Sequence, residues 1–562
     1  MNRHFFMIFF LFLVYSMPLS AQDFDDLNNL AFKERDNKNY QKAIELCTQA
    51  LNKKVNARSY IIRADCRYEL KDYEAAITDF NSALTYYSSY YTDNKEKAGI
   101  YYMIGRSKHD LYKYSDAITD YTTALTYNYE EPGYIYWNRG TCYYELGKYK
   151  DAKDDFTKAI DRISASEDLS TIYSDKGDCE AKLGNYEAAY TLYTRAISYN
   201  SNNYNAFWQR GHYKSQEKKY TEALSDFDKA IELITKNPEP SANNDLAILY
   251  RNKAIMHRDL RQYDEGLAAI NKSVATDPNM AKTYRIRAEI YQAMKKYDRA
   301  KIEYGNSITL QTDKKIKSDI LLDRSIMERQ LLDYKSCLDD LNKAVELDPT
   351  DGLNYWHRSV LYGYKKNYPA AIKDCNLAID RYKSDSSSTA SLYWLRSGFK
   401  DITGDFTGAT EDYQVYLKYY PQSYSGYYEL GRLFKLKLKN IDLANANLDK
   451  ALELAEKAYD TSKISYIYLI KGEKELAYKK MLEHIDNNKN DAYQYKWGLH
   501  NMACIYAMAG NTNKAFEFQD KSFKAGFDDY LHLVNDRDLA TIMKLPQWKT
   551  MLTKYKVPVP QN

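Results

Sequence analysis

Histidines and cysteines are the residues of this 562-residue chain best able to bind a metal or to attack a substrate. None of the eight histidines forms an HExxH pattern, and the chain has no GxSxG, GxxxxGK[ST] or GxGxxG motif. The sequence therefore predicts no metal site, no cofactor and no catalytic residue. An enzyme with an unrecognised site remains a third reading, with His212 as its candidate residue.

The cysteines carry no signature of their own. They are odd in number and widely spaced, without a CxxC pair, so neither a disulfide framework nor a zinc site is signalled. We expect them to be small buried core residues. They are Cys47, Cys66, Cys142, Cys179, Cys337, Cys375 and Cys504.

Regular pairing of arginine with an acid is the first pattern that has a physical meaning. Seven arginines are each followed by an acidic residue 16 positions later. Two lysines that take the equivalent place further along the chain, Lys176 and Lys253, have no acid at that distance. A partly buried Arg–carboxylate pair fixes geometry more than it adds stability. We predict seven structural ion pairs: Arg63 with Asp79, Arg139 with Asp155, Arg210 with Asp226, Arg287 with Glu303, Arg324 with Asp340, Arg358 with Asp374, and Arg396 with Asp412.

Aromatic residues share one position on the first of the two helices that we predict below for each repeat, three residues before a small residue. We call this position the anchor slot. Tyr102 and Tyr428 occupy it in two copies, and Arg251 and Arg285 in two others. An aromatic row suits an extended peptide or the apolar face of a sugar, and arginines add an anion-binding step. Packing between neighbouring helices, or a solvated face for the arginines, is the alternative. Four of the six tryptophans hold this slot: Trp137, Trp208, Trp356 and Trp394.

The elements that position these residues repeat along the chain. Eleven aromatic residues fall in register at spacings of 33 to 43 residues, and a small residue follows most of them after three positions. Two amphipathic stretches joined by a short polar turn predict a helical hairpin. The spacings alternate short and long, which predicts a unit of two hairpins with longer loops at every second step. The aromatic residues are Tyr40, Tyr73, Tyr114, Tyr149, Tyr186, Tyr220, Tyr263, Tyr297, Tyr334, Tyr368 and Phe406.

This repeat resembles the tetratricopeptide repeat family, and in particular its bacterial periplasmic members, over about residues 24–455. Tyr136–Ala152 and Tyr355–Ala371 are clear copies. The resemblance implies an all-α fold, a right-handed α-solenoid of helical hairpins, whose anchor slot faces a concave groove. The Lys/Asn/Lys/Arg set with which some members clamp chaperone tails is absent.

Four segments follow from this resemblance and from the ends of the chain. Residues 1–21 have a basic head, an apolar middle and a small-residue end, as in a secretory signal peptide. An uncleaved anchor is the alternative, but the apolar run is shorter than the roughly 18–20 residues that span a bilayer. We expect about 12 hairpins in residues 22–455, degenerate hairpins in 456–530, and a capping helix with a loose tail in 531–562.

Charge and composition narrow the class of function. Lys plus Arg number 80 against 77 for Asp plus Glu, a net charge of +3, which excludes a strongly basic nucleic-acid binder. We therefore expect a non-enzymatic, extracytoplasmic scaffold that binds a partner protein or extended peptide in a concave aromatic groove. The expected location is the periplasm, with secretion or outer-membrane association as alternatives, and no membrane span after signal removal. A glycan-binding protein of the cell envelope is the alternative function.

Overall fold

A computed structural model describes residues 19–90, 94–236, 242–382 and 386–558. Within these ranges, every element of regular secondary structure is a helix. Helix α1 begins at Leu19, so most of the predicted signal peptide lies outside the described residues. None of the described helices has both the length and the hydrophobicity needed to cross a bilayer.

The chain divides into two compact units, Met1–Asp277 and Pro278–Asn562. In the first unit the helices pair in order, α1 with α2 and so on, as seven hairpins of a first and a second helix. Their bounds are α1 Leu19–Asp36, α2 Tyr40–Lys53, α3 Ala57–Glu69, α4 Tyr73–Tyr90, α5 Asn94–Asp110, α6 Tyr114–Thr126, α7 Pro132–Glu145, α8 Tyr149–Ile160, α9 Ser166–Lys182, α10 Tyr186–Tyr199, α11 Tyr204–Gln216, α12 Tyr220–Lys236, α13 Ala242–Asp259 and α14 Tyr263–Thr276.

The second unit contains seven further hairpins, followed by four short helical pieces. The hairpin helices are α15 Ala281–Ala293, α16 Tyr297–Leu310, α17 Lys314–Gln330, α18 Tyr334–Leu347, α19 Gly352–Tyr364, α20 Tyr368–Arg381, α21 Ser386–Thr403, α22 Phe406–Tyr419, α23 Tyr424–Leu436, α24 Ile441–Lys457, α25 Thr461–Lys471, α26 Lys474–Asn487, α27 Ala492–Met508 and α28 Thr512–Lys524. The short pieces are α29 Tyr530–Leu533, a 3₁₀ helix Arg537–Leu539, α30 Ala540–Met543 and α31 Pro546–Lys554.

Small residues allow the two helices of a hairpin to touch. A Cβ atom added at Gly140 in α7 would lie 2.8 Å from the ring of Phe156 in α8, closer than atoms can pack. Ala152 and Ala159 in α8 are fully buried. The aromatic side chain therefore fills the space that the glycine leaves, and close packing makes that space intolerant of extra atoms.

The turn between the two helices of a hairpin carries a residue in the left-handed region. Gly147 has φ +72°, and lysines adopt the same conformation at Lys71 and Lys366. Glycine takes this conformation without steric cost, whereas a residue with a Cβ atom does not. The turn places the register aromatic, such as Tyr149, at the first position of the second helix.

First helices alternate in length, which supports a structural unit of two hairpins. Helices α3, α7 and α11 have 13, 14 and 13 residues, whereas α5, α9 and α13 have 17, 17 and 18. The prediction of longer loops was wrong at the two long steps whose connections the structure describes, α8–α9 and α16–α17, because the extra residues extend the first helices α9 and α17 to 17 residues each.

Residues 528–558, which we call the closing segment, cover the last hairpin. Leu539 and Trp548 are buried in one apolar cluster with Ala503 and Phe518 of that hairpin. The segment is a chain of short helical pieces where the sequence suggested one capping helix, because polar turns interrupt it. Val557 is buried in the same cluster, so the chain is packed as far as this residue.

Candidate functional site

The structure brings the two members of all seven predicted arginine–acid pairs into contact. The first helix of the hairpin supplies each arginine and the second helix each acid. These arginines therefore hold hairpins together. The shortest N–O distances are 2.7 Å from Arg63 to Asp79, 2.6 Å from Arg139 to Asp155, 2.7 Å from Arg210 to Asp226, 2.8 Å from Arg287 to Glu303, 2.6 Å from Arg324 to Asp340, 2.7 Å from Arg358 to Asp374, and 2.6 Å from Arg396 to Asp412.

The acids of these pairs are buried to different degrees. The side chains of Asp340, Asp374 and Asp412 are 6%, 4% and 4% exposed, so these carboxylates lie within the hairpin. Glu303 is 13% exposed, and its Oε2 accepts a hydrogen bond from the Arg287 guanidinium at 2.8 Å.

A second basic residue, one turn further along the first helix, reaches the same carboxylate in several hairpins. Arg67 lies 2.7 Å from Asp79, and Lys214 lies 3.0 Å from Asp226. In α5, where Ile104 replaces the arginine, this second position alone serves the acid: Lys108 lies 2.6 Å from Asp120. The pairing of the acid is thus preserved by a residue that the 16-residue spacing does not reveal.

Three anchor-slot side chains form a hydrogen bond or an ion pair with the first helix of the following hairpin. The Asn138 amide donates to the Tyr102 hydroxyl at 2.9 Å. The Trp137 indole N–H donates to Asp175 at 2.9 Å. In the second unit, the guanidinium of Arg285 lies 2.6 Å from the carboxylate of Asp323. These three contacts favour the packing role that the sequence left open as an alternative.

Trp208 and Arg251, on the first helices α11 and α13, differ from those three. Trp208 is half-buried and packs against the cluster that contains Phe227 and Leu249. The Nε–H groups of Arg251 and Arg285 are both buried without a hydrogen-bond partner among the described residues, but Arg285 has Asp323 as its counter-charge. Burial lowers the pKa of Arg251, and no nearby acid opposes this effect. An apolar ring and an unneutralised cation therefore occupy successive anchor slots of the first unit.

Trp356 and Trp394 line an open depression of about 450 Å³ in the second unit. The Trp394 ring packs against Tyr416 at a centroid distance of 4.9 Å, and the Trp356 ring meets Tyr382 edge-on at 6.4 Å. The remaining lining residues are Val360, Ser391, Leu395 and Tyr420. This surface offers aromatic rings with the Ser391 hydroxyl beside them.

Tyr428 is the predicted groove residue that the chain itself covers. Only 5% of its surface is exposed, and burial raises its pKa well above the usual range. Arg537 of the closing segment lies 3.1 Å from Glu429, the residue next to Tyr428, and 3.0 Å from Asp401 in α21. The closing segment therefore lies against the first helices α21 and α23, and Tyr428 is not available to a ligand.

Two carboxyl groups on α9, those of Asp175 and Asp178, are weaker acids than usual. Burial raises the pKa of Asp175 to about 7, although the Trp137 indole hydrogen bond opposes the shift. Burial also raises the pKa of Asp178 to about 6, opposed by a hydrogen bond from Tyr193. These carboxyl groups are therefore partly protonated near neutral pH.

The structure also brings together residues that the sequence reasoning did not single out. His500, Cys504 and Asp536 place three ligand atoms within 4.8 Å of one another, and His532 lies beside Asp536. Part of the signal was present in the sequence, because His500 and Cys504 are spaced i, i+4 and so share one side of a helix. All seven cysteines, Cys504 included, are buried and free.

Comparison with protein families gives a match to the family described as "Tetratricopeptide repeat" over residues 57–90, 132–201 and 204–237. A TPR repeat-containing protein of Methanocaldococcus jannaschii is 27% identical over 38% of this chain and 36% of its own length. The Hsp70-Hsp90 organising protein of Plasmodium falciparum is 27% identical over 29% of this chain and 28% of its own length. The chain thus spans about a third of these two relatives.

Among solved structures, the C-terminal part of a TPR repeat-containing protein from Cytophaga hutchinsonii is 21% identical to this chain. The match covers 46% of this chain and 97% of that one, with a TM-score of 0.38. The yeast Tom70 structure is 16% identical, covers 81% of this chain and 97% of its own, and has a TM-score of 0.34.

Proposed function

The chain contains tetratricopeptide repeats, and from this premise we propose that it is a non-enzymatic, extracytoplasmic scaffold that binds a partner protein. The partner contributes an extended peptide, which lies along the anchor-slot face of the first unit. Relatives support an interaction role, because one is named an organising protein for Hsp70 and Hsp90 and another a mitochondrial import receptor subunit. The apolar start of the sequence supports export across a membrane, with the periplasm as its destination.

The pairing of Trp208 with Arg251 carries this proposal. The exposed part of the indole ring offers a stacking surface for an apolar side chain, and the guanidinium offers donors for a carboxylate. A half-buried cation without a counter-charge gains from a ligand that supplies one. We therefore expect the partner peptide to carry an apolar residue close to an acidic side chain or to its C-terminal carboxylate.

The chain offers a matched control for the arginine. Arg251 and Arg285 occupy the same slot on successive first helices, but Arg285 already has Asp323 as its partner. Arg251→Gln should therefore weaken peptide binding, whereas Arg285→Gln should leave it unchanged.

The test is affinity capture from the native envelope fraction, with the chain lacking residues 1–21 as bait. Wild type and Arg285→Gln should recover the same protein, and Arg251→Gln and Trp208→Ala should recover at least about tenfold less, which corresponds to about 1.4 kcal/mol. Circular dichroism establishes that each variant is folded. Equal recovery by Arg251→Gln and wild type contradicts the proposed site.

One observation favours the glycan alternative, namely the depression between Trp356 and Trp394. Aromatic rings beside the hydroxyl of Ser391 suit the apolar face and the polar rim of a sugar. Soluble oligosaccharides should then quench tryptophan fluorescence in wild type and in Trp208→Ala, but not in Trp394→Ala. Unchanged fluorescence of the wild-type chain removes this alternative.

A further inference from the structure

Four side chains of ligand type converge where the closing segment meets the last hairpin. His500 and Cys504 lie one turn apart on α27. His532 in α29 and Asp536, in the turn that follows, come from the closing segment. His500 and Cys504 are almost wholly buried, whereas the His532 side chain is 46% exposed. The cluster is therefore shielded from solvent on the side of His500 and Cys504 and open to solvent on the side of His532.

Three ligand atoms of this cluster, from His500, Cys504 and Asp536, lie at separations close to the edges of a tetrahedron around a metal ion. The exposed His532 lies beside Asp536 and must turn toward the other two side chains to supply a fourth ligand. The His500 Nε2 lies 3.0 Å from the Asp536 carboxylate, and the His532 Nε2 lies 3.4 Å from it. The Cys504 Sγ lies 3.3 Å from the same carboxylate and 3.7 Å from the His500 Nε2. Zinc–ligand bonds of about 2.0 Å to nitrogen or oxygen and about 2.3 Å to sulfur require edges of about 3.3 Å and about 3.6 Å.

A supporting contact orients the buried histidine. The Nδ1 of His500 lies 2.9 Å from the Gln519 Oε1. When the Nε2 gives up its hydrogen to bind a metal, the Nδ1 can donate to this amide oxygen, as in metal-bound histidines whose second nitrogen is held by a carbonyl or carboxylate. The rings of Phe527 and Trp497 pack on His500 at centroid distances of 4.6 and 5.6 Å and exclude water.

The same geometry argues against a Cys–His–Asp catalytic arrangement. In such a triad the thiol and the acid contact different nitrogens of the imidazole. Here Cys504 and Asp536 both face the Nε2 of His500, and Gln519 occupies the Nδ1. The side chains of His500, Cys504 and Asp536 therefore face one another and do not form a relay, which is the arrangement that a metal ion needs.

We propose that His500, Cys504, His532 and Asp536 form a structural zinc site that joins α27 to the closing segment. Two imidazoles, a thiolate and a carboxylate give four protein ligands, the number typical of structural zinc. Binding replaces the thiol proton of Cys504, which leaves to the buffer, by a sulfur–zinc bond. Because Arg537 follows Asp536, the metal also fixes the arginine that contacts Asp401 and Glu429.

The test uses the full-length chain, depleted of metal with a chelator and then titrated with Zn²⁺ or Co²⁺. Wild type should bind one ion per chain, unfold at a higher temperature with Zn²⁺ than without it, and show a thiolate-to-cobalt absorption band with Co²⁺. Cys504→Ser should lose the band, whereas Cys375→Ser, a change at another buried free cysteine, should keep it. Gln519→Leu should weaken Zn²⁺ binding about 10–100-fold.

The substitution of a buried ligand can disturb folding by itself. His532→Gln avoids this problem, because the His532 side chain is exposed. It should keep the helical circular dichroism of wild type and bind Zn²⁺ at least about 100-fold more weakly, because it loses a ligand and not only a supporting contact. The proposal is overturned if the wild-type chain takes up no ion, or if wild type and Cys504→Ser give the same Co²⁺ spectrum. In either case the cluster is a hydrogen-bonded network around Asp536.

Discussion

The Nη1 of Arg537 lies 3.0 Å from the carboxylate of Asp401, although 136 residues of chain separate the two. Asp401 also accepts a hydrogen bond from Arg432, and Arg432 contacts Glu429 at 2.8 Å. Two arginines and two acids therefore form a network that joins three parts of the second unit. The charges are balanced, so the network can remain half-buried without an uncompensated ion.

Removal of Arg537 should release the closing segment from this network. In Arg537→Ala, Asp401 and Glu429 keep Arg432, so the fold of the hairpins should persist while residues 528–543 open more often. Hydrogen exchange should show faster exchange in these residues, by about tenfold. Lys549→Ala, at an exposed position of α31, is the control and should exchange as wild type does. Equal hydrogen-exchange protection of residues 528–543 in Arg537→Ala and Lys549→Ala would contradict a role of Arg537 in holding the closing segment.

The ion pair within a hairpin should be costly to break from one side. The Asp155 side chain is 3% exposed, so Asp155→Asn leaves Arg139 buried without its counter-charge. We expect the free energy of unfolding to fall by about 3 kcal/mol, measured by urea denaturation.

The chain itself supplies the compensating replacement for that pair. At the equivalent positions of α9 and α10 it has Lys176 and Leu192. The double variant Arg139→Lys with Asp155→Leu should therefore recover most of the stability that Asp155→Asn loses, because no buried carboxylate or guanidinium remains. A double variant no more stable than Asp155→Asn would show that the pair has no such substitute.

Asp175 should make stability fall as the pH rises. Its pKa is raised to about 7 in the folded chain, so the folded state holds its proton more tightly than the unfolded state between about pH 4 and pH 7. Asp175→Asn keeps an acceptor for the Trp137 indole and has no charge to bury. Its advantage in free energy of unfolding should grow from near zero at pH 4 to on the order of 1–3 kcal/mol at pH 8. A difference independent of pH refutes this origin.

Two glycines that both have open space around them should respond oppositely to alanine. Gly147 lies in a turn with φ +72°, and Gly398 lies inside helix α21, with no atom within 4 Å of an added Cβ in either case. Gly147→Ala should lower the free energy of unfolding by about 1 kcal/mol, because alanine strains the left-handed region. Gly398→Ala should raise it by about 0.5–1 kcal/mol through helix propensity. The same sign at both sites would contradict the backbone explanation.

Much of the repeat could be predicted from the sequence because each hairpin is specified locally. The small residue Gly140 and the aromatic Phe156 meet across one hairpin, and the 16-residue spacing of Arg139 and Asp155 follows from two helices of similar length joined by a short turn. Such contacts depend on one repeat and its neighbours only.

The closing segment could not be predicted in the same way, because its contacts cross many repeats. The sequence gives no spacing rule that would bring Arg537 to Asp401, or Asp536 to His500. Whether an anchor-slot side chain is free also depends on the next first helix. Trp137 finds Asp175 there and Arg285 finds Asp323.

Site-specific photo-crosslinking in the native envelope fraction tests the proposed scaffold most directly. A photoreactive residue replaces His212, exposed one turn after Trp208 on α11, or Ser225, exposed on the second helix α12. The proposal predicts an adduct with a protein partner from position 212, its loss in combination with Arg251→Gln, and no adduct from position 225. An adduct from position 225 alone, or one from position 212 that survives Arg251→Gln, would contradict a binding site on the first helices.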